Sequence, residues 1–195
     1  MKRSISWLAA LTISFSAAGA LALDLPAEQT DAIVEHTYEL DGLSFTFVEG
    51  QAVGTQQLRG ELGPVDVITI EMLDPETGVK AGSSFLSISR YSSEGAAGSV
   101  EERPAQALAG VIAAFEQAFG EDAIRTQEAS FDFGGRNANG VRVTIEAPAG
   151  SVEAEVAAFN EGGETLVIVQ QIFAGDERFA QHFAANLESL QLTGE

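Results

Sequence analysis

The sequence predicts an α+β domain in which an antiparallel, meander-rich β-sheet is packed by two amphipathic helices. Three observations predict it: an Asp-Gly turn between alternating segments, four β-rich segments separated by glycine-rich turns, and two apolar stripes at helical spacing. Strands follow strands through short turns, with one helix between two such runs and one at the end, which is α+β patterning instead of regular βα alternation.

Tyr38-Glu39-Leu40 and Leu43-Ser44-Phe45-Thr46-Phe47 flank Asp41-Gly42, a pair suited to the two positive-φ positions of a tight hairpin, so the domain is expected to open with strands. Val65 to Leu73 is rich in β-branched residues, turns at Asp74-Pro75-Glu76-Thr77-Gly78 and returns as Phe85 to Tyr91. Ser, Gly and Glu then dominate from Ser92 to Arg103 and lead into a helix with Pro104 in its first turn. Leu108, Val111, Ile112, Phe115 and Phe119 fall on one stripe of that helix and Gly120 stops it, so the stripe is expected to bury against a sheet.

Ala123 to Phe133, Val141 to Ala147, Val152 to Phe159 and Thr165 to Phe173 read as four strands of an antiparallel meander. Gly134 to Gly140, Pro148-Ala149-Gly150 and Asn160-Glu161-Gly162-Gly163 supply the loops. The last of these strands carries Val167 and Val169 on one side and Leu166, Ile168 and Ile172 on the other, which predicts a central place in the sheet. Gly175-Asp176 then gives a break and an N-cap, and Phe179, Phe183, Leu187 and Leu190 line one face of a closing helix.

Ahead of this domain, Lys2 and Arg3 precede an apolar stretch from Ile5 to Leu23, in which Ala20-Leu21-Ala22 provides a small-x-small cleavage pattern. Basic, then apolar, then small is the order of a secretory signal, so residues 1–22 are read as a signal peptide, 23–36 as a leader and 37–195 as one domain. An uncleaved anchor is the competing reading of so long a stretch, but Ser14, Ser16 and Gly19 interrupt it. The expected compartment is periplasmic or secreted, with membrane contact only during passage of the signal peptide. The chain has no cysteine, which excludes a lipoprotein anchor, disulfides, thiol catalysis, iron-sulfur clusters and Cys-ligated zinc.

The net charge is −19, and loss of Lys2 and Arg3 with the signal takes it to −21. Beyond the signal, Lys80 is the only lysine, and arginines from Arg59 to Arg178 are scattered, so nucleic acid and anionic membrane surfaces are excluded as partners. The acidity reads as a solubility feature.

Val141, Val143 and Ile145 must share a core with Val152, Ala154 and Val156, which fixes the parity of their pairing. Pairing Ala147 with Val152 around a four-residue loop stands Glu146 across from Glu153 and places Arg142 diagonal to Glu155. Like charges opposed in a ladder cost roughly 0.2 to 1 kcal/mol, so solvent, a cation or an arginine must relieve them. Glu146, Glu153 and Glu155 are therefore the candidate ligands of a shallow divalent-cation site; a solvated sheet face is the commoner meaning of such a cluster.

The chain lacks a Gly-x-Ser-x-Gly elbow, a Gly-Lys-Ser/Thr phosphate loop, a His-Glu-x-x-His helix and a calcium loop of alternating acidic ligands. His36 and His182 are its only imidazoles, each either a surface or packed histidine or a general base or metal ligand. The segment around Arg136 can hold an anion or simply turn the chain, and Asp74, Glu76 and Thr77 can contact calcium or form an exposed turn. Phe45 with Phe47 and Phe131 with Phe133 read as sheet core. No catalytic residue and no cofactor are assigned.

The opening hairpin with Gly42-Leu43-Ser44-Phe45-Thr46-Phe47, the middle helix, the meander and the ending Leu187-Glu188-Ser189-Leu190-Gln191-Leu192 together resemble the PsbP-like α/β/α sandwich domains over about residues 37–192. That resemblance implies a noncatalytic accessory, scaffold or binding role in an exported or lumenal compartment, and it carries no functional residue onto this sequence. The expected function is an exported, soluble, non-catalytic binding or accessory domain that meets a protein partner through sheet edges or loops. The alternatives are an acidic module that binds a divalent cation and a hydrolase using His36 or His182 with distant carboxylates.

Overall fold

The computed structural model describes residues 35–60, 62–92, 99–133, 135–147, 150–173 and 175–192. The segment read as a signal peptide, most of the segment read as a leader, and Pro148-Ala149 lie outside the described residues. In chain order the elements are β1 (Glu35–Leu40), β2 (Leu43–Val48), β3 (Gln51–Gly60), β4 (Gly63–Leu73), β5 (Lys80–Tyr91), α1 (Arg103–Phe119), β6 (Ile124–Phe133), β7 (Arg136–Ala147), β8 (Gly150–Glu161), β9 (Glu164–Phe173), α2 (Phe179–Glu188) and β10 (Gln191–Leu192), with a 3-10 turn at Glu121–Ala123. The fold is α+β, mostly antiparallel sheet with two helices.

β1 and β2 form the predicted hairpin, with Leu40 opposite Leu43. Asp41 and Gly42 take φ of 42° and 84°, the positive values a two-residue turn requires at both positions. The first strand begins at Glu35, three residues before the alternation becomes visible at Tyr38, and β10 adds to the far side of β2 to make a three-stranded sheet. The larger sheet has seven strands in the order β3-β4-β5-β9-β8-β7-β6. The meander β6 to β9 is antiparallel throughout, and β9 sits in the middle, as its two apolar sides demand. Its other neighbour is β5, so two locally connected units, β3 to β5 and β6 to β9, meet along a single join.

Side-chain alternation gives the seven-stranded sheet two apolar faces. Ile68, Ile70, Leu86, Ile88, Leu166 and Ile168 pack on one face with Leu43 and Phe45 of β2 and Phe179, Phe183 and Leu187 of α2. Val65, Val143, Ile145, Ala154, Val156 and Val167 pack on the other with Ala107 and Phe115 of α1. Polar ties join the small sheet and α2 to this frame. Buried Arg90 donates to the backbone oxygen of Asp41 at 2.6 Å and pairs with Asp66 at 3.1 Å. Gln51 donates to Asn186 at 2.9 Å, and Asn186 donates to the Thr46 carbonyl at 2.8 Å, so a buried amide pair closes α2 onto β2 and β3.

Several expectations are corrected. β3 and β10 were not foreseen, because β3 is a polar edge strand whose large apolar residues are Val53 and Leu58, and it owes its conformation to a ten-residue ladder with β4. The β7–β8 register is displaced by two residues from the expected one: Ile145 opposes Val152, so the faces are as predicted, but Glu146 stands opposite Ser151 and Glu155 opposite Arg142. A tighter turn gives more ladder bonds and replaces a like-charge pair with an ion pair. The segment from Arg136 to Gly140 is strand instead of loop. Asp176 does not cap α2 with its side chain; the N-cap is Arg178, and the Asp176 carboxylate instead accepts from Ser84 Oγ at 2.8 Å. Phe119, expected to be buried with the α1 stripe, is 44% exposed and tilted against Phe115 at 6.5 Å between ring centroids.

Candidate functional site: a cleft beside the first helix

α1 lies chiefly over β8 and β9 and leaves the same sheet face open above β4 and β5. On that face β5 presents Ser83, Phe85, Ser87, Ser89 and Tyr91, and β4 presents Val65, Val67, Thr69 and Glu71. Phe85, Ser87, Ser89 and Val67 stay half-buried, since no helix roofs them. The result is a mostly apolar cleft of about 730 Å³ between α1 and the strands β3, β4, β5 and β9. That volume falls within the range of about 300 to 1,000 Å³ typical of small-molecule sites.

The helix wall of the cleft includes the small side chains of Ala109, Gly110, Ala113 and Ala114 beside Val111, Phe115 and Gln117. A Cβ added at Gly110 would meet nothing within 4 Å, so open space lies in front of it. Register fixes the two ends of the cleft: Val65 pairs with Tyr91 at one and Glu71 with Phe85 at the other. Asn160, which pairs with Thr165 beside Tyr91, donates to the Val100 carbonyl at 2.6 Å. The N-terminus of α1 therefore stands at the Tyr91 end, and its C-terminal half with Gln117 faces the Glu71 end.

Polar groups punctuate the cleft, with Ser83, Ser87 and Ser89 along β5 and Gln106 and Gln117 on α1. Lys80 forms an ion pair with Glu71 at one end, while Thr69 and Gln171 are buried in the floor. Burial pushes the Tyr91 phenol above its ordinary pKa, because an apolar surround disfavours phenolate. Arg103, one turn before Ala107 in α1 and outside the residues that line the cleft, is only 6% exposed, and its Nε and Nη1 have no hydrogen-bond partner among the described residues.

The residues singled out from sequence lie elsewhere. Glu155 accepts from Arg142 at 2.8 Å, and this carboxylate holds the guanidinium above its usual pKa. Glu153 stands opposite Thr144, and Glu146 opposite Ser151. Among the described residues no group of three or more His, Asp or Glu is placed to hold a metal ion. His36 is exposed on β1 and stacked on Phe47 at 5.2 Å between ring centroids; His182 is exposed on α2. Among the described residues neither imidazole pairs with a carboxylate. Arg136 is engaged by both carboxylate oxygens of Glu161 and by the Leu190 carbonyl at 2.9 Å. The Asp74 carboxylate accepts from the amides of Glu76 and Thr77 and from the Thr77 hydroxyl, so it closes its own turn.

Sequence reasoning missed the cleft because its walls come from strands and a helix far apart in the chain. The one local trace was in β5, where Ser83, Ser87 and Ser89 occupy the face that a covering helix would have required to be apolar. Among the described residues no helix is long and apolar enough to cross a membrane.

No family model and no curated protein matches this chain. Its fold weakly resembles cyanobacterial PsbP from Synechocystis, whose solution structure aligns with a TM-score of 0.47 and 10% identity over 86% of this chain and 97% of that one. A protein of unknown function from Pseudomonas aeruginosa aligns with a TM-score of 0.34 and 12% identity over 76% of this chain and 88% of that one.

Proposed function

We propose that this chain is an exported, non-catalytic binding domain of α/β/α sandwich form, and that it acts through the cleft between α1 and the β3 to β5 half of the large sheet. The observation that carries the reading is the cleft itself: a mostly apolar space of about 730 Å³ left uncovered while the same sheet face is tightly packed a strand away. Leaving apolar surface in water forgoes roughly 25 cal/mol for each Å² that a helix shifted sideways would have buried, and an occupant recovers that term. Export is supported by the order of Lys2, Arg3, the apolar stretch and Ala20-Leu21-Ala22, and the sandwich form by the two apolar clusters on opposite sheet faces.

The uncharged dye Nile red tests the cleft. Its emission is expected to rise and shift to the blue on mixing with the protein, and Gly110→Leu, which places a side chain in the open space, is expected to remove most of that response. A response unchanged in Gly110→Leu would place the apolar site elsewhere and overturn the reading. Export is checked by intact mass, with a mature chain beginning at Leu23 as the expected result.

A further inference from the structure

We infer that the cleft selects an uncharged, elongated molecule with a neutral group that both donates and accepts hydrogen bonds, as an alcohol does, and that Gln171 and Thr69 recognise that group. This rests on the cleft reading above and adds the charge class of the occupant and the residues that set it. Thr69 and Gln171 are only 5% and 6% exposed, and both line the cleft. Among the described residues no side-chain hydrogen bond engages either of them, and the unpaired polar atoms that are sealed from solvent belong to Arg90 and Arg103. The Thr69 hydroxyl and the Gln171 amide therefore keep accessible surface, and it opens into the cleft that they line.

Register gathers these groups. Thr69 pairs with Ser87, and Ser87 pairs with Val169, two residues before Gln171 on the same face of β9, so the three polar side chains form one patch in the floor. A nearly buried polar group without a partner is costly, and a hydroxyl, which donates and accepts, relieves an amide and a hydroxyl alike. An ion fits poorly. Glu71 and Lys80 are the charged residues lining the cleft and are paired with each other, so a carboxylate has to displace Glu71 and an ammonium has to displace Lys80. The burial that pushes the Tyr91 phenol above its ordinary pKa acts in the same space, where it disfavours an anion. From Val65 to Glu71 the floor runs about 20 Å at strand spacing, which suits a slender chain.

Displacement of diphenylhexatriene, a fluorescent hydrocarbon with no hydrogen-bonding group, by decanol, decanoate and decylammonium at neutral pH tests the assignment. Decanol is expected to bind on the order of tenfold more tightly than either ion, since each ion pays for desolvation without a free counter-charge. Gln171→Met and Thr69→Val, each close in volume to the residue replaced, are expected to weaken decanol by about threefold to tenfold, the loss of one neutral hydrogen bond. Both are expected to bind the hydrocarbon as the parent does, which shows that their cleft is intact. Gly110→Leu is expected to weaken hydrocarbon and decanol together. Equal binding of decanol and either ion overturns the charge selection, and decanol affinity unchanged in both Gln171→Met and Thr69→Val overturns the role of the floor; either result leaves the cleft reading standing. Hydrocarbon and decanol binding that survive Gly110→Leu overturn the cleft reading as well.

Discussion

Gly140 shows how a single side chain, or its absence, sets the packing. A Cβ there would lie 2.1 Å from the Val156 carbonyl oxygen and 2.8 Å from Phe131. A ladder carbonyl cannot move aside, so Gly140→Ala is expected to lower unfolding stability by about 3 kcal/mol, the upper part of the range for overpacking, as read from the urea midpoint. The amide pair of Gln51 and Asn186 is the polar counterpart. Asn186→Leu strands the Gln51 amide and the Thr46 carbonyl and is expected to cost about 1 to 3 kcal/mol, with the Gln51→Leu, Asn186→Leu double variant costing less than the sum of the two singles. At the surface, the Thr77 hydroxyl and amide hold the Asp74 carboxyl below its usual pKa. Its turn is therefore secure above the unfolded-state value and loosens as pH falls through the depressed one; Thr77→Val is expected to raise the Asp74 titration midpoint seen by NMR.

Among the elements, those with a strong internal pattern were legible before the structure. The Asp41-Gly42 hairpin, the strands with two-residue alternation and the α2 stripe of Phe179, Phe183 and Leu187 each carry their instruction locally. β3 was not legible because its order comes from β4, and the β7–β8 register was not because parity fixes the face and leaves slips of two residues open. The cleft was hidden for the same reason at larger separation: apart from the serines of β5, no stretch of chain records that α1 lies over β8 and β9 instead of β4 and β5. α1 itself carries a cost in keeping its cleft wall small. An interior helical glycine is less stable than a good helix former by up to about 1 kcal/mol, so Gly110→Leu is expected to raise the melting temperature while it closes the site. Loss of binding together with a gain in stability separates a blocked site from a damaged fold.

For the whole molecule, the two apolar clusters divide the labour. Leu43, Phe45, Phe179, Phe183 and Leu187 pack against one side of the large sheet, and Phe183 is fully buried there. Phe183→Ala is expected to cost about 3 to 5 kcal/mol in chemical denaturation and to leave the affinity of the folded protein for apolar probes unchanged, because the sheet stands between that cluster and the cleft. The long polar ties, Arg90 to Asp41 and Arg136 to Leu190, likewise serve assembly of the small sheet and α2.

The join between β5 and β9 has a kinetic consequence. It brings together residues some eighty positions apart in sequence, such as Leu86 and Gln170, whereas the hairpins on either side close over short loops. Non-local pairing of this kind forms late and opens early relative to local hairpins. The cleft straddles it, with Phe85 and Ser87 on one bank and Val169 and Gln171 on the other. A guest lying across both banks must leave before the halves can part, so occupancy is expected to slow deuterium uptake at the amides of β5 and β9 more than within the outer hairpins.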